Sequence, residues 1–105
     1  MRLIQIVPKK KFNLYGALVA KELELRSKDK GTFRRSGPKQ KTFAKWNHKN
    51  YYGWLWLQRG LGGVVNVELQ SKTSDNDEWQ LLHAFLGFVD RHFAAKVQSI
   101  HIQYE

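Results

Sequence analysis

The chain has 105 residues, of which 42% are hydrophobic and 13% aromatic, so it can bury one core and is too apolar for a disordered segment. It has no cysteine, which excludes disulfides, thiolate metal sites and a cysteine nucleophile. The net charge is +9 and is unevenly distributed: residues 1–60 hold 15 Lys and Arg against three acids, which favours an anionic partner. Without an apolar run of about 20 residues or a signal-like start, we expect a cytoplasmic protein with no membrane partner.

The first 27 residues contain one clear strand and one ambiguous segment. Residues 2–7 alternate in polarity and predict a strand that ends at Pro8. In residues 12–27, Leu14, Leu18 and Glu22 have helical spacing, whereas residues 22–26 alternate. We favour a strand over about 18–27, and a helix over 14–24 is the alternative.

The middle of the chain is rich in turn residues and cations. Residues 27–31 are typical of a hairpin loop ending in glycine, and a short strand is expected over 32–35. Residues 36–41 predict a basic loop. Residues 42–49 form either an irregular segment or a strand, and as a strand they would place Phe43, Lys45 and Asn47 opposite Ala44, Trp46 and His48.

The segment 51–59 alternates strictly, which predicts a strand with two apolar faces. Leu55 and Leu57 point one way, and Tyr52, Trp54 and Trp56 point the other way. Since a surface strand usually has one polar face, the second face needs cover from the chain itself, a second subunit or a ligand.

The last 45 residues give the clearest pattern. A glycine-rich loop over 60–63 precedes a strand over 64–70. A long helix is predicted over about 76–95, with Asp75 as its N-cap and Glu78 in the capping-box position. Its apolar stripe contains Trp79, Leu82, Leu86, Val89 and Phe93. A final strand is predicted over 97–104.

These elements predict a single α+β domain spanning residues 1–105. A mainly antiparallel sheet is covered on one face by a single long helix, and the last strand lies beside the first. The arrangement loosely resembles small ferredoxin-like domains. That resemblance concerns architecture only and carries no activity.

The segment from residue 34 to residue 59 combines cations with aromatic rings, which is typical of surfaces that bind phosphates and stack unpaired bases. We therefore predict a non-enzymatic module that binds RNA or single-stranded DNA. The candidate residues are Arg34, Arg35, Lys39, Lys41, Lys45, Trp46, His48, Lys49, Tyr52, Trp54, Trp56 and Arg59. No RNP-type motif accompanies it.

Two other functions stay open. The wide helix stripe and the two-sided strand would also suit a homodimer or a protein-interaction domain. A phosphodiester-directed enzyme would use His48 as its acid or base, with cations holding phosphate. We expect no metal and no cofactor, since His83 and His92 lie nine residues apart on one helix and therefore on opposite faces.

Overall fold

The computed structural model describes residues 1–10, 12–38, 40–71 and 75–105, and the side chains of Asp75 and Asn76 lie outside the description. The strands are β1 (Arg2–Pro8), β2 (Phe33–Ser36), β3 (Phe43–His48), β4 (Trp54–Arg59), β5 (Val65–Gln70) and β6 (Val97–Tyr104). The helices are α1 (Leu14–Ser27) and α2 (Asp75–Phe93). Short 3₁₀ turns occupy Leu61–Gly63 and Ala94–Lys96.

The six strands form one sheet in the order β2-β3-β4-β5-β1-β6, and every neighbouring pair is antiparallel. Strands β2 to β5 follow one another as a meander. Strand β1 then adds beside β5, and β6 adds beside β1. The prediction that the last strand lies beside the first is therefore confirmed.

Strands β1 to β5 each bury side chains on one face, which we call the inner face, whereas the side chains of β6 on that side are half-buried or exposed. On β4 and β5 the buried residues alternate with exposed or half-buried ones, as the sequence pattern predicts. Both helices contribute to the same continuous core as this inner face. The opposite side of the sheet, which we call the outer face, has no buried side chain on β4 or β5 and carries no helix among the described elements.

The prediction of a strand over about 18–27 is wrong, and the alternative prediction of a helix is confirmed by α1. The buried residues of α1 include Leu14, Leu18 and Glu22, which recur every four residues. Glu22 is 1% exposed and lies 3.2 Å from Arg26 Nε, one helical turn later, whereas Leu23 is 44% exposed. The alternation in residues 22–26 was misleading because the carboxylate is buried and the leucine is not.

The α+β class with an antiparallel sheet is confirmed, and the sheet has two described helices where one was expected. The ferredoxin-like arrangement is not confirmed. The helix predicted over 76–95 runs over Asp75–Phe93 instead, and the predicted cap by the Asp75 side chain lies outside the described residues. Among the described residues, no helix is long and apolar enough to cross a membrane.

The end of the core beneath β2 and β3 is aromatic. The rings of Phe33, Trp46, Phe85 and Phe88 contact one another with centroid distances of 5.4–6.3 Å. Tilted and edge-on ring pairs of this kind add to the apolar burial. This cluster holds α2 against β2 and β3 and fixes which side of β3 faces inward.

Candidate functional site

The outer face carries three aromatic rings on the β3–β4 hairpin, and we call Phe43, Trp54 and Trp56 the aromatic cluster. On β4, Leu55 and Leu57 are fully buried and the two tryptophans between them are half-buried. The prediction that Leu55 and Leu57 face the core and the tryptophans face the other side is confirmed. The second apolar face of this strand is therefore partly open to solvent.

A lysine lies at the centre of the aromatic cluster. Lys45 is paired with Trp56 across β3 and β4, and its Nζ lies 5.2 Å from the Trp56 ring centroid and 5.4 Å from that of Trp54. Phe43 contacts Trp56 with a centroid distance of 4.8 Å and an interplanar angle of 35°. Attraction between an ammonium and aromatic faces holds the cation over the rings. The cluster therefore combines stacking surfaces with a positive charge.

A groove of about 550 Å³ adjoins the aromatic cluster and crosses the outer face toward β6. One cross-strand row runs along it over five strands and contains, in order, Phe43, Gln58, Asn66, Gln5 and His101. The groove is also lined by Trp56, Glu68, Leu3 and Gln103. It thus has an aromatic end on β3 and β4 and a polar floor rich in amides.

The three amides in this row have no hydrogen-bond partner among the described residues. Gln5, Gln58 and Asn66 make no side-chain hydrogen bond to any other residue that the structure describes. An amide both donates and accepts, so such a row can satisfy the polar edge of a planar ligand.

Further cations lie at both ends of the β3–β4 hairpin. Lys49 is exposed just after β3, and Lys41 and Arg59 are exposed at the other end, where the Arg59 backbone N–H donates to the Thr42 carbonyl. Arg59 pairs with the buried Val65 and therefore lies on the inner side of β4, not on the outer face. On β2, Arg34 faces outward opposite Asn47, and its Nη1 donates to three nearby backbone carbonyls. Another predicted cation, Lys39, lies outside the described residues.

Several predicted site residues lie elsewhere. Trp46 is fully buried in the core, and Arg35 faces inward beside it with Nε and Nη1 buried. Neither side chain reaches the outer face. Tyr52 is 73% exposed, but it lies in the loop before β4 and not on the strand, because Gly53 bends the backbone there with φ of +133°.

His48 lies on the inner face at the end of β3 and is engaged by its neighbours. Its ring stacks on Tyr51 at 4.6 Å and meets the edge of Phe33 at 4.9 Å. Its Nδ1 accepts a hydrogen bond of 3.0 Å from the Asn50 backbone N–H, which requires that nitrogen to be unprotonated. Partial burial lowers the pKa of His48 below its usual range. This environment favours a neutral, structural ring.

The sequence pattern did not identify the polar part of the groove. Gln5, Gln58, Asn66 and His101 occupy outward positions on four strands, and strand alternation alone would have given those orientations. What the pattern lacked was the strand order, which places the four side chains in one row.

No group of His, Cys, Asp or Glu able to hold a metal ion occurs among the described residues. Comparisons of the chain with protein-family models, with curated protein sequences and with solved structures gave no match in any of the three.

Proposed function

We propose that the outer face binds single-stranded nucleic acid, RNA or DNA, without catalysing a reaction. The observation that carries this proposal is the aromatic cluster with Lys45 at its centre, on the side of the sheet where the structure describes no helix. Bases would stack on the Trp54 and Trp56 rings, and the phosphates would meet the cations around them.

Energetics support a stacking role for these rings. A base stacked on an aromatic side chain contributes about 1–3 kcal/mol, and every base can stack. Two partly exposed tryptophans on one strand therefore offer a sizeable, sequence-tolerant contribution. In a duplex the base faces are already stacked on one another, so this surface favours an unpaired strand over a double helix.

Charge supports an anionic ligand at the same place. Lys45 lies within the cluster, Lys49 lies beyond one end of the hairpin, and Lys41 lies beyond the other. The six residues of β4 span roughly 20 Å. Cations spread over this length suit a backbone that runs along the hairpin, while the groove beside Trp56 offers amides to the edges of bases.

Titration with a mixed-sequence 20-mer, followed by tryptophan fluorescence, tests the proposal, with RNA and DNA strands as separate arms. About five phosphate contacts give a log–log slope of binding against salt near −3.5 for a single strand. If neither the RNA strand nor the DNA strand binds at low salt, the proposed function is refuted.

Two variants locate the binding surface. Trp56→Leu is expected to weaken binding roughly 5- to 150-fold, as loss of one stacking partner implies. Trp79→Leu is the matched control, because Trp79 is half-exposed on α2 and has no place on the outer face. Equal losses in the two variants would contradict the assignment of the site.

A further inference from the structure

The two edges of the sheet differ in how well they are protected from pairing. Strand β2 is four residues long, contains two arginines and is followed by Gly37 and Pro38. Strand β6 is eight residues long, is the longest described strand and contains no Lys, Arg, Asp or Glu. Edge strands are usually protected by charge, proline, short length or a β-bulge. Strand β6 is long and has neither charge nor proline, and its bulge lies only at its start, between Val97 and Ser99.

The inner side of β6 is only partly covered. Ile100 and Ile102 are half-buried and Tyr104 is 64% exposed. On α2, Phe88 contacts the aromatic core beneath β2 and β3, whereas Glu78 contacts Arg2 of β1. Trp79 lies on the helix face opposite Phe88 and is 50% exposed. The inner side of β6 and the start of α2 therefore both leave apolar surface exposed.

We propose that a second copy of this chain pairs antiparallel with β6 about a two-fold axis and extends the sheet to twelve strands. Residues paired across antiparallel strands share a face of the sheet. Between Ser99 and Tyr104, an odd-numbered residue of one copy can therefore pair only with an odd-numbered residue of the other, and an even-numbered residue only with an even-numbered one. A register centred on His101 sets His101 against its own copy, Ser99 against Gln103, and Ile100 against Ile102. The half-buried isoleucines of both copies then cover one another on the inner face.

Charge supports a second copy as the occupant. The chain has a net charge of +9, which disfavours contact between two copies through their basic surfaces, whereas β6 is uncharged. In the proposed register, the start of β6 in one copy lies near the end of β6 in the other, which brings the Lys96 of each copy close to the Glu105 of the other. Both of these residues are exposed and have opposite charges.

The size of the contact predicts a weak dimer. An eight-residue strand is roughly 27 Å long, and the sheet and helix layers together are about 20 Å deep. The contact then covers roughly 1,100 Å² in total, close to the lower limit for specific interfaces. We therefore expect a micromolar dissociation constant.

The dimer would also lengthen the groove, and the consequence for ligand binding rests on the proposed function. His101 ends the row that begins at Phe43, so the second copy continues that row without a break. The two aromatic clusters would be seven strand spacings apart, roughly 33 Å. A strand long enough to span both would bind more tightly than a short one.

Cysteine cross-linking tests the pairing, because the chain has no cysteine of its own. His101→Cys is expected to form a disulfide-linked dimer under mild oxidation, since its two copies are direct neighbours. Ser99→Cys alone and Gln103→Cys alone are the matched controls, because their own copies lie about 13 Å apart. An equimolar mixture of these two controls is expected to give the mixed disulfide.

Sedimentation of the unmodified chain between about 1 and 200 μM should show a monomer–dimer equilibrium. The His101→Lys substitution should raise the dissociation constant of the dimer up to about fivefold, because it places like charges opposite each other. The proposal is overturned by a monomer throughout this range. It is equally overturned by a dimer in which neither His101→Cys nor the mixture cross-links. Oligonucleotide binding does not enter these measurements, so failure of the proposed function would leave their result unchanged.

Discussion

The ion pair between Glu78 and Arg2 fastens the start of α2 to β1. Glu78 is 6% exposed, and its Oε1 lies 2.9 Å from Arg2 Nη1 and 3.2 Å from the Met1 ammonium. The Arg2 side chain is 14% exposed and its guanidinium lies 5.3 Å from the Tyr104 ring centroid. The Arg2 nitrogens Nε and Nη1 are buried without a well-aligned hydrogen bond, so Glu78 is the main compensation for this charge.

Glu78→Gln is expected to lower the free energy of unfolding by about 2–4 kcal/mol. Breaking a buried ion pair on one side typically costs about 3–5 kcal/mol, because the other charge is left uncompensated. The residual exposure of Arg2 and its contact with Tyr104 reduce this figure. For a domain of this size the loss corresponds to a fall in melting temperature of roughly 10–20 °C.

Urea unfolding followed by tryptophan fluorescence measures the change, and Glu24→Gln is the matched control. Glu24 also lies on a helix and contacts two cations, Lys21 and Lys28, but it is exposed. The urea midpoint of the Glu24→Gln variant is therefore expected to equal that of the original chain. Replacing the pair together, as Arg2→Met with Glu78→Leu, should recover most of the lost stability. If Glu78→Gln unfolds at the same urea concentration as Glu24→Gln, the reasoning about this pair is refuted.

Two further predictions concern the backbone and a histidine. Gly53→Ala should destabilise the fold by about 1–3 kcal/mol or more, because φ is +133° and a Cβ would lie 2.5 Å from the Gln70 carbonyl oxygen. Gly87→Ala on α2 should instead stabilise the fold by about 0.5–1 kcal/mol, because a Cβ there meets nothing within 4 Å. Thermal unfolding of both variants decides this, and a Gly53→Ala protein as stable as the original would contradict it. Because burial lowers the pKa of His48, the unfolded chain takes up the proton first, so stability should be constant above about pH 6.5 and fall as the pH drops below it. Urea midpoints at pH 7.5 and pH 5 should therefore differ less in His48→Gln than in the original chain, and an equal difference would exclude this histidine as a cause.

The parts of the fold that the sequence predicted are those with one dominant periodicity. Strand β4 alternates over its whole length, and Leu55 and Leu57 are buried as that alternation required. The apolar stripe of α2 predicted its helix in the same way. In both elements the side chains that need burial are apolar, so pattern and packing agree.

Helix α1 was mispredicted because its packing departs from the binary rule. Burial of Glu22 depends on Arg26 and on the groups around them, and none of these contacts can be read from the order of polar and apolar residues. The exposed Leu23 then imitates the alternation of a strand.

The candidate site was predicted only in part, for a related reason. Composition identified a basic and aromatic segment, but which rings face outward depends on strand register. Trp46 pairs with Leu55 and therefore faces the core, whereas Lys45 pairs with Trp56 and faces outward. The amide row needed the order of the strands in the sheet as well.

The indole N–H signals of the four tryptophans give the most direct test of the proposed function in one titration. Trp54 and Trp56 lie on the outer face, Trp46 is buried in the core, and Trp79 lies on α2. In two-dimensional ¹H–¹⁵N spectra recorded while a single-stranded 20-mer is added, the Trp54 and Trp56 signals are expected to shift, with those of Trp46 and Trp79 nearly unchanged. Shifts confined to Trp79, or no shift in any of the four at low salt, would contradict the proposal that the outer face binds nucleic acid.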